Sequence, residues 1–210
     1  QHDVPRFPIF VFLATAMLCL AFSAAFHLFS CLSEEWFAFL APLDYTGISL
    51  LIAGSGVPII TYGFYCNTAW VVTHLFGTGR PSSKYLVLSP VHSLYKRNCA
   101  SLCCRFRSVR ASCFALAGLY GAVPMIHMQF VNHDSENFHG WLLGQLAIMG
   151  AMYLVGAVLY AMRIPERLLP GRFDNWLSSH QLFHFLVVAV AVQHYHSVVQ
   201  HYQFRLHASC

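Results

Sequence analysis

Ser178-Ser179-His180-Gln181-Leu182-Phe183-His184 opens a largely apolar, uncharged run that continues to position 199. A run of about 18 or more such residues is long enough to cross a bilayer as a helix. Two histidines four apart lie on one helix face, one turn above the other. Near the end of a membrane helix, that spacing suits two imidazoles gripping one metal ion. A pair of interior histidines hydrogen-bonded to neighbouring helices fits the same spacing. The stretch alone leaves both readings open.

Composition sets the class. The chain is 57% hydrophobic and 10% charged, with a mean hydropathy of +0.55. Soluble domains carry roughly 25% charged residues, so this composition describes an integral membrane protein. No cleavable signal peptide is expected, because the first apolar run is too long and continues into Phe26-His27-Leu28-Phe29. Eight cysteines in so apolar a chain do not read as a secreted disulfide scaffold. Seven of the twelve Lys and Arg residues lie between positions 80 and 110. In a membrane protein such a block marks a cytoplasmic loop and not a nucleic-acid partner.

In chain order, five spans are predicted: 7–30, 45–72, 111–131, 140–162 and 175–200. A polar link, Ser33-Glu34-Glu35, separates the first two. Pro124 is expected to kink the third. The segment 73–110 breaks the pattern: Gly77-Thr78-Gly79-Arg80-Pro81-Ser82-Ser83 reads as a loop, and a basic block follows it. Asp174 and Asn175 can cap the last span. No repeat interrupts what reads as one helical domain.

A parity condition follows. His27 ends the first span and Asp44 precedes the second, so they share one membrane face. For His180 and His184 to reach that face, an even number of crossings must separate Asp44 from His180. Only three are visible. The basic segments 96–110 and 163–172 and the acidic segment 132–139 raise the same difficulty through the positive-inside rule. A return across the membrane between positions 72 and 96 is required, and that region supplies no convincing helix.

Several segments carry a family likeness. Ser23 with Phe26-His27, Leu43-Asp44-Tyr45-Thr46-Gly47-Ile48, Phe64-Tyr65-Cys66, Tyr160-Ala161-Met162-Arg163-Ile164-Pro165-Glu166-Arg167 and Ser179-His180-Gln181-Leu182-Phe183-His184 resemble the progestin and adipoQ receptor family. The likeness is nearest to its adiponectin receptors, which also resemble haemolysin III-type proteins. It covers about residues 8–72 and 105–200. The resemblance implies an all-α, polytopic transmembrane bundle of the seven-helix adiponectin receptor type. Here the family's first helix is expected to lack a counterpart, and its fourth to be replaced by an aberrant segment. By resemblance, His27, His180 and His184 match three zinc ligands, and Asp44 matches the carboxylate that holds a zinc-bound water. Ser23 matches the serine of the family's Ser-x-x-x-His element. The resemblance also implies a site near the cytoplasmic face of a plasma or internal membrane, with the carboxyl terminus outside.

Three neutral imidazoles and a water form an open, catalytic type of Zn2+ site. Gln181 lies between the paired histidines where a zincin motif has Glu, which leaves Asp44 as the candidate base. The Ser23 hydroxyl could hydrogen-bond a group that supports the ligands or stabilise an oxyanion. The expected function is a zinc-containing membrane receptor that hydrolyses a ceramide-like lipid amide, with an extracellular hormone as a further partner and no nucleic acid. The alternative is a non-catalytic receptor or membrane-homeostasis protein with a structural zinc; a transporter ranks below both. His194, His196, His201 and His207 read as solvated or interfacial, as do His127 and His139. Cys99, Cys103 and Cys104 are palmitoylation candidates, and Arg163, Arg167 and Arg172 a topology signal.

Overall fold

A computed structural model describes residues 4–87, 107–131, 136–173 and 176–208. Among them are seven helices and no strand: α1 (Phe7–Phe29), α2 (Glu34–Gly63), α3 (Thr68–Val87), α4 (Arg107–Tyr120), α5 (Ala122–Val131), α6 (Glu136–Met162) and α7 (Ser179–His207). Five stretches are long and apolar enough to cross a membrane: Phe7–Phe29, Glu34–Gly63, Ser112–Val131, Gly140–Met162 and Ser179–His207. The architecture is a polytopic all-α membrane bundle.

Several expected boundaries move, each for a local reason. The second span does not run over 45–72, because α2 starts at Glu34 and ends at Gly63. Ser33 is its N-cap, accepting a hydrogen bond from the Trp36 backbone N–H, and Glu34 and Glu35 sit where the helix dipole favours anions. The polar link is therefore the helix's first turn. Asp44 lies about 15 Å along the helix, inside α2 and not ahead of it. The third span breaks at Gly121, between α4 and α5, and not at Pro124. Pro124 falls in the first turn of α5, where its missing N–H costs no hydrogen bond. At the last span the cap is Ser178, with helix from Ser179; Asp174 and Asn175 lie outside the described residues.

The largest correction concerns 73–110. Gly77 to Ser83 is not a loop but part of α3. Asn67 starts this helix, its side-chain oxygen accepting from the Trp70 N–H at 3.3 Å. The helix spans 20 residues, about 30 Å at 1.5 Å per residue. Residues 88–106, with Cys99, Cys103 and Cys104, lie outside the described set.

Contacts at the two ends fix the helix directions. Phe64 at the end of α2 stacks on His74 of α3 at 4.9 Å. His74 Nε2 lies 2.8 Å from His127 Nδ1 on α5. Phe138 near the start of α6 stacks on Phe204 near the end of α7 at 4.0 Å. Ile59, Ile60, Phe64, Met125, Met128 and Leu142 form a buried cluster here, with Val71 and Leu75 against it. These ends share one side of the bundle, the far end. α3 therefore starts at the far end and runs back. Its length matches a return toward the side where α1 ends, although α3 is not one of the five stretches that are apolar enough to cross a membrane among the described residues.

Two histidines read as solvated are interior instead. His194 is 6% exposed with Nε2 3.0 Å from the Ser55 carbonyl, and His201 is 1% exposed between the rings of Tyr62 and Phe138. His196 and His207 are exposed, as expected. His127 is half-buried in its pairing with His74; the side chain of His139 is outside the described set. Beside His201, buried Arg205 donates to the Tyr62 and Gly63 carbonyls at 2.6 and 3.1 Å. It thereby satisfies carbonyls left over at the end of α2.

α1 and α2 pack closely because α2 presents glycines to α1. A Cβ at Gly47 would lie 2.9 Å from the Cys19 Cα. Backbone cannot yield as a side chain can, so Gly47→Ala must separate the helices. The expected cost is about 1–3 kcal/mol, read as a lower midpoint of thermal unfolding in detergent. Gly56→Ala, whose added carbon would meet only Ile60 Cδ1 at 3.7 Å, is the control and should unfold like the parent. Equal midpoints for both variants would contradict this packing.

Candidate metal centre

The site forms where the last turn of α1 meets the first turns of α7. Ser178 caps α7 through a capping box: its hydroxyl accepts from the Gln181 backbone N–H, and the Gln181 side chain accepts from the Ser178 N–H. Gln181, between the two histidines, thus fixes where the helix begins. The helix then carries His180 and His184 on one face, one turn apart.

Three ring nitrogens converge. His180 Nε2 lies 3.1 Å from His27 Nε2 and 3.1 Å from His184 Nε2. One ligand atom from each of the three lies within 4.8 Å of the other two. A neutral imidazole Nε2 offers either one N–H or one lone pair. A single His180 nitrogen therefore cannot make ordinary hydrogen bonds to both neighbours at once. Three lone pairs turned toward one cation resolve that conflict. Around a tetrahedral zinc at 2.0–2.1 Å, nitrogen ligands sit about 3.3 Å apart, within a few tenths of an ångström of the two short separations. The donor set fits a zinc ion.

Aromatic rings hold the imidazoles in place. Phe26 lies edge-on to His27 at 5.2 Å, Phe183 edge-on to His184 at 5.7 Å, and Tyr160 of α6 is 5.5 Å from His180.

Ser23 and Asp44 come to the same place. They are 8% and 9% exposed, and with His180 and His184 they line a cavity of about 630 Å³. Away from that end the lining is mostly apolar and reaches Ile59, Met125 and Val190. Among the described residues the Ser23 hydroxyl oxygen is buried without a hydrogen-bond partner, a costly state for a hydroxyl that has no further use. His27 instead borders an open recess on the outer side of α7, shared with His180, His184, Phe185 and Val188. The histidines thus stand between an interior chamber and the bundle's outer surface.

All five residues singled out from the sequence therefore gather in one region. The sequence reading missed Glu166, which accepts hydrogen bonds from the backbone N–H and the hydroxyl of Ser179. Thirteen residues separate the partners, so no short-range pattern announces the pair. The Ser178–Gln181 box did carry a signal, the S-x-x-Q spacing ahead of an apolar run.

Known proteins place this arrangement in a family. The family model described as "Haemolysin-III related" matches residues 1–195. The chain is 42% identical to an adiponectin receptor protein of Drosophila melanogaster, over 93% of this chain and 42% of that protein. It is 40% identical to progestin and adipoQ receptor-like protein 1 of Caenorhabditis elegans, over 95% of this chain and 44% of that protein. A rice relative, heptahelical transmembrane protein ADIPOR2, is 40% identical over 94% of this chain and 82% of its own length. The chain thus spans less than half the length of the first two relatives. With its helical bundle and its matched length, the chain belongs to the haemolysin-III-related family, among the adiponectin and progestin receptor-like proteins.

Proposed function

We propose that His27, His180 and His184 hold a zinc ion, and that the protein is a receptor-type membrane hydrolase acting on a ceramide-like lipid amide. One observation carries the proposal: three converging imidazole nitrogens, two of them at one end of a cavity whose lining is mostly apolar away from that end. Bound there, zinc would acidify a water and polarise an acyl carbonyl. The chain's own groups would do the rest. Asp44, which lines the same cavity, would take a proton from the attacking water and pass it to the departing amine. The Ser23 hydroxyl, without a hydrogen-bond partner among the described residues, would donate to the oxygen that gains negative charge. The apolar chamber would take the acyl chain, at about 0.8 kcal/mol for each methylene removed from water, and keep bulk solvent from the reacting bond.

The second reading is a receptor, or a membrane-homeostasis protein, in which zinc only braces the bundle. It is favoured by one feature: the ligands come from helices at opposite ends of the chain, so an ion would tie α1 to α7. The names of the relatives support a receptor role, and under either reading an extracellular hormone is a further proposed partner. The positive-inside rule supports a cytoplasmic site, because Arg163, Arg167 and Arg172 lie on the connection that ends at α7. An epitope after Ala208 should then be stained on intact cells; staining only after permeabilisation would reverse the orientation.

Purified protein should contain about one zinc per chain and release fatty acid from ceramide in detergent. His180→Ala should lose the metal and the turnover together. Asp44→Ala should keep the metal and lower turnover by about 10²–10⁴-fold, the usual worth of a general base. Turnover equal in parent and Asp44→Ala would sink the hydrolase. Zinc-dependent thermal stability with no turnover in the parent would establish the bracing role instead.

A further inference from the structure

We infer that Glu166 is a positioning residue for the histidine cluster, a role that rests on the zinc reading above. The Ser179 backbone N–H donates to Glu166 Oε2 at 2.8 Å, and the Ser179 hydroxyl donates to Oε1 at 2.5 Å. Both carboxylate oxygens are thereby engaged by one residue, which is fully buried and immediately precedes His180. The first N–H groups of a helix have no partner within it, and an anion at that end is favoured by the helix dipole. Glu166 therefore acts as a two-pronged clamp on the first turn of α7.

The clamp is anchored to α6. Glu166 sits in a hydrogen-bonded turn directly after that helix: Arg167 N–H donates to the Arg163 carbonyl at 2.8 Å, and Leu168 N–H to the Pro165 carbonyl at 2.9 Å. Arg163 and Leu177, near the two ends of the α6–α7 connection, hold φ of 57° and 59°. Non-glycine residues adopt that left-handed region rarely, and keep it only where surrounding contacts impose it. Contacts thus hold the connection at Arg163 and Leu177, and Glu166 is a contact from it that reaches the helix bearing two of the three imidazoles.

Geometry makes this consequential. His180 and His184 move together when the start of α7 rotates or slides, whereas His27 belongs to α1. The two 3.1 Å separations at His180 Nε2 survive only if the first turn of α7 keeps its rotation relative to α1. Glu166 acts on the imidazoles through Ser179, which immediately precedes His180.

The test measures zinc affinity by competition with a chromophoric chelator, and the visible absorption spectrum of cobalt-loaded protein, on full-length protein in detergent. Glu166→Gln places an amide NH2 against one of the two Ser179 donors. It should weaken zinc binding by about 10–100-fold, the usual effect of losing an outer support of a metal ligand, and shift the cobalt bands. Ser179→Ala keeps the backbone bond and should weaken zinc less. The double variant should bind about as Glu166→Gln does. Parent-like affinity and cobalt spectra in both single variants would overturn the inference, even if the zinc-free protein melted lower. Where Glu166→Gln does not fold, Ser179→Ala decides alone by the same two readouts. A parent protein that takes up no zinc overturns the zinc reading and this inference together; a parent that binds while the variants match it overturns this inference only.

Discussion

The approach of three imidazole nitrogens to one point is the constraint the rest of the bundle serves. Two ride on one helix and are aligned by its pitch, but the third comes from 153 residues earlier in the chain. Bringing it within 3.1 Å of His180 requires α1 to end, and α7 to begin, at the same depth and on the same side. Close packing of α1 on α2 through Gly47 sets one half of that register. The run of helices back to α7 sets the other.

That run returns toward its starting side only because α3 is a helix that leads back from the far end. Gly77 and Pro81 disfavour it by about 1 and 3 kcal/mol relative to alanine, since glycine costs backbone entropy and proline has no N–H to donate. Burial against the far-end cluster, where Val71 and Leu75 pack, opposes that cost. The sequence shows the parity problem plainly. Its solution depends on contacts with α2 and α5, which local composition cannot display.

The same distinction runs through the site. The five apolar stretches and the histidine spacing were legible, because apolar length and helical periodicity are local properties; Ser23 and Asp44 were singled out through the family likeness. The clamp at Glu166 was not, since it joins a connecting turn to a helix start. The interior histidines were misread for another reason. A chain segment dense in histidine looks solvated, yet Val190, His194, Ser197, Val198, His201 and Arg205 fall at helical spacing and make one buried stripe. Reading that stripe as a face would have placed His194 and His201 inside. It would also have placed Arg205 there, at the carbonyls that end α2.

X-ray absorption at the zinc edge of purified, zinc-loaded protein bears most directly on the convergence of His27, His180 and His184. The account predicts a shell of light atoms at about 2.0–2.1 Å, with outer scattering fitted by three imidazole rings and one non-histidine oxygen in the remaining position. His27→Ala should remove one ring from that fit. A shell containing sulfur, a fit needing fewer than three imidazoles, or a spectrum unchanged by His27→Ala would contradict it.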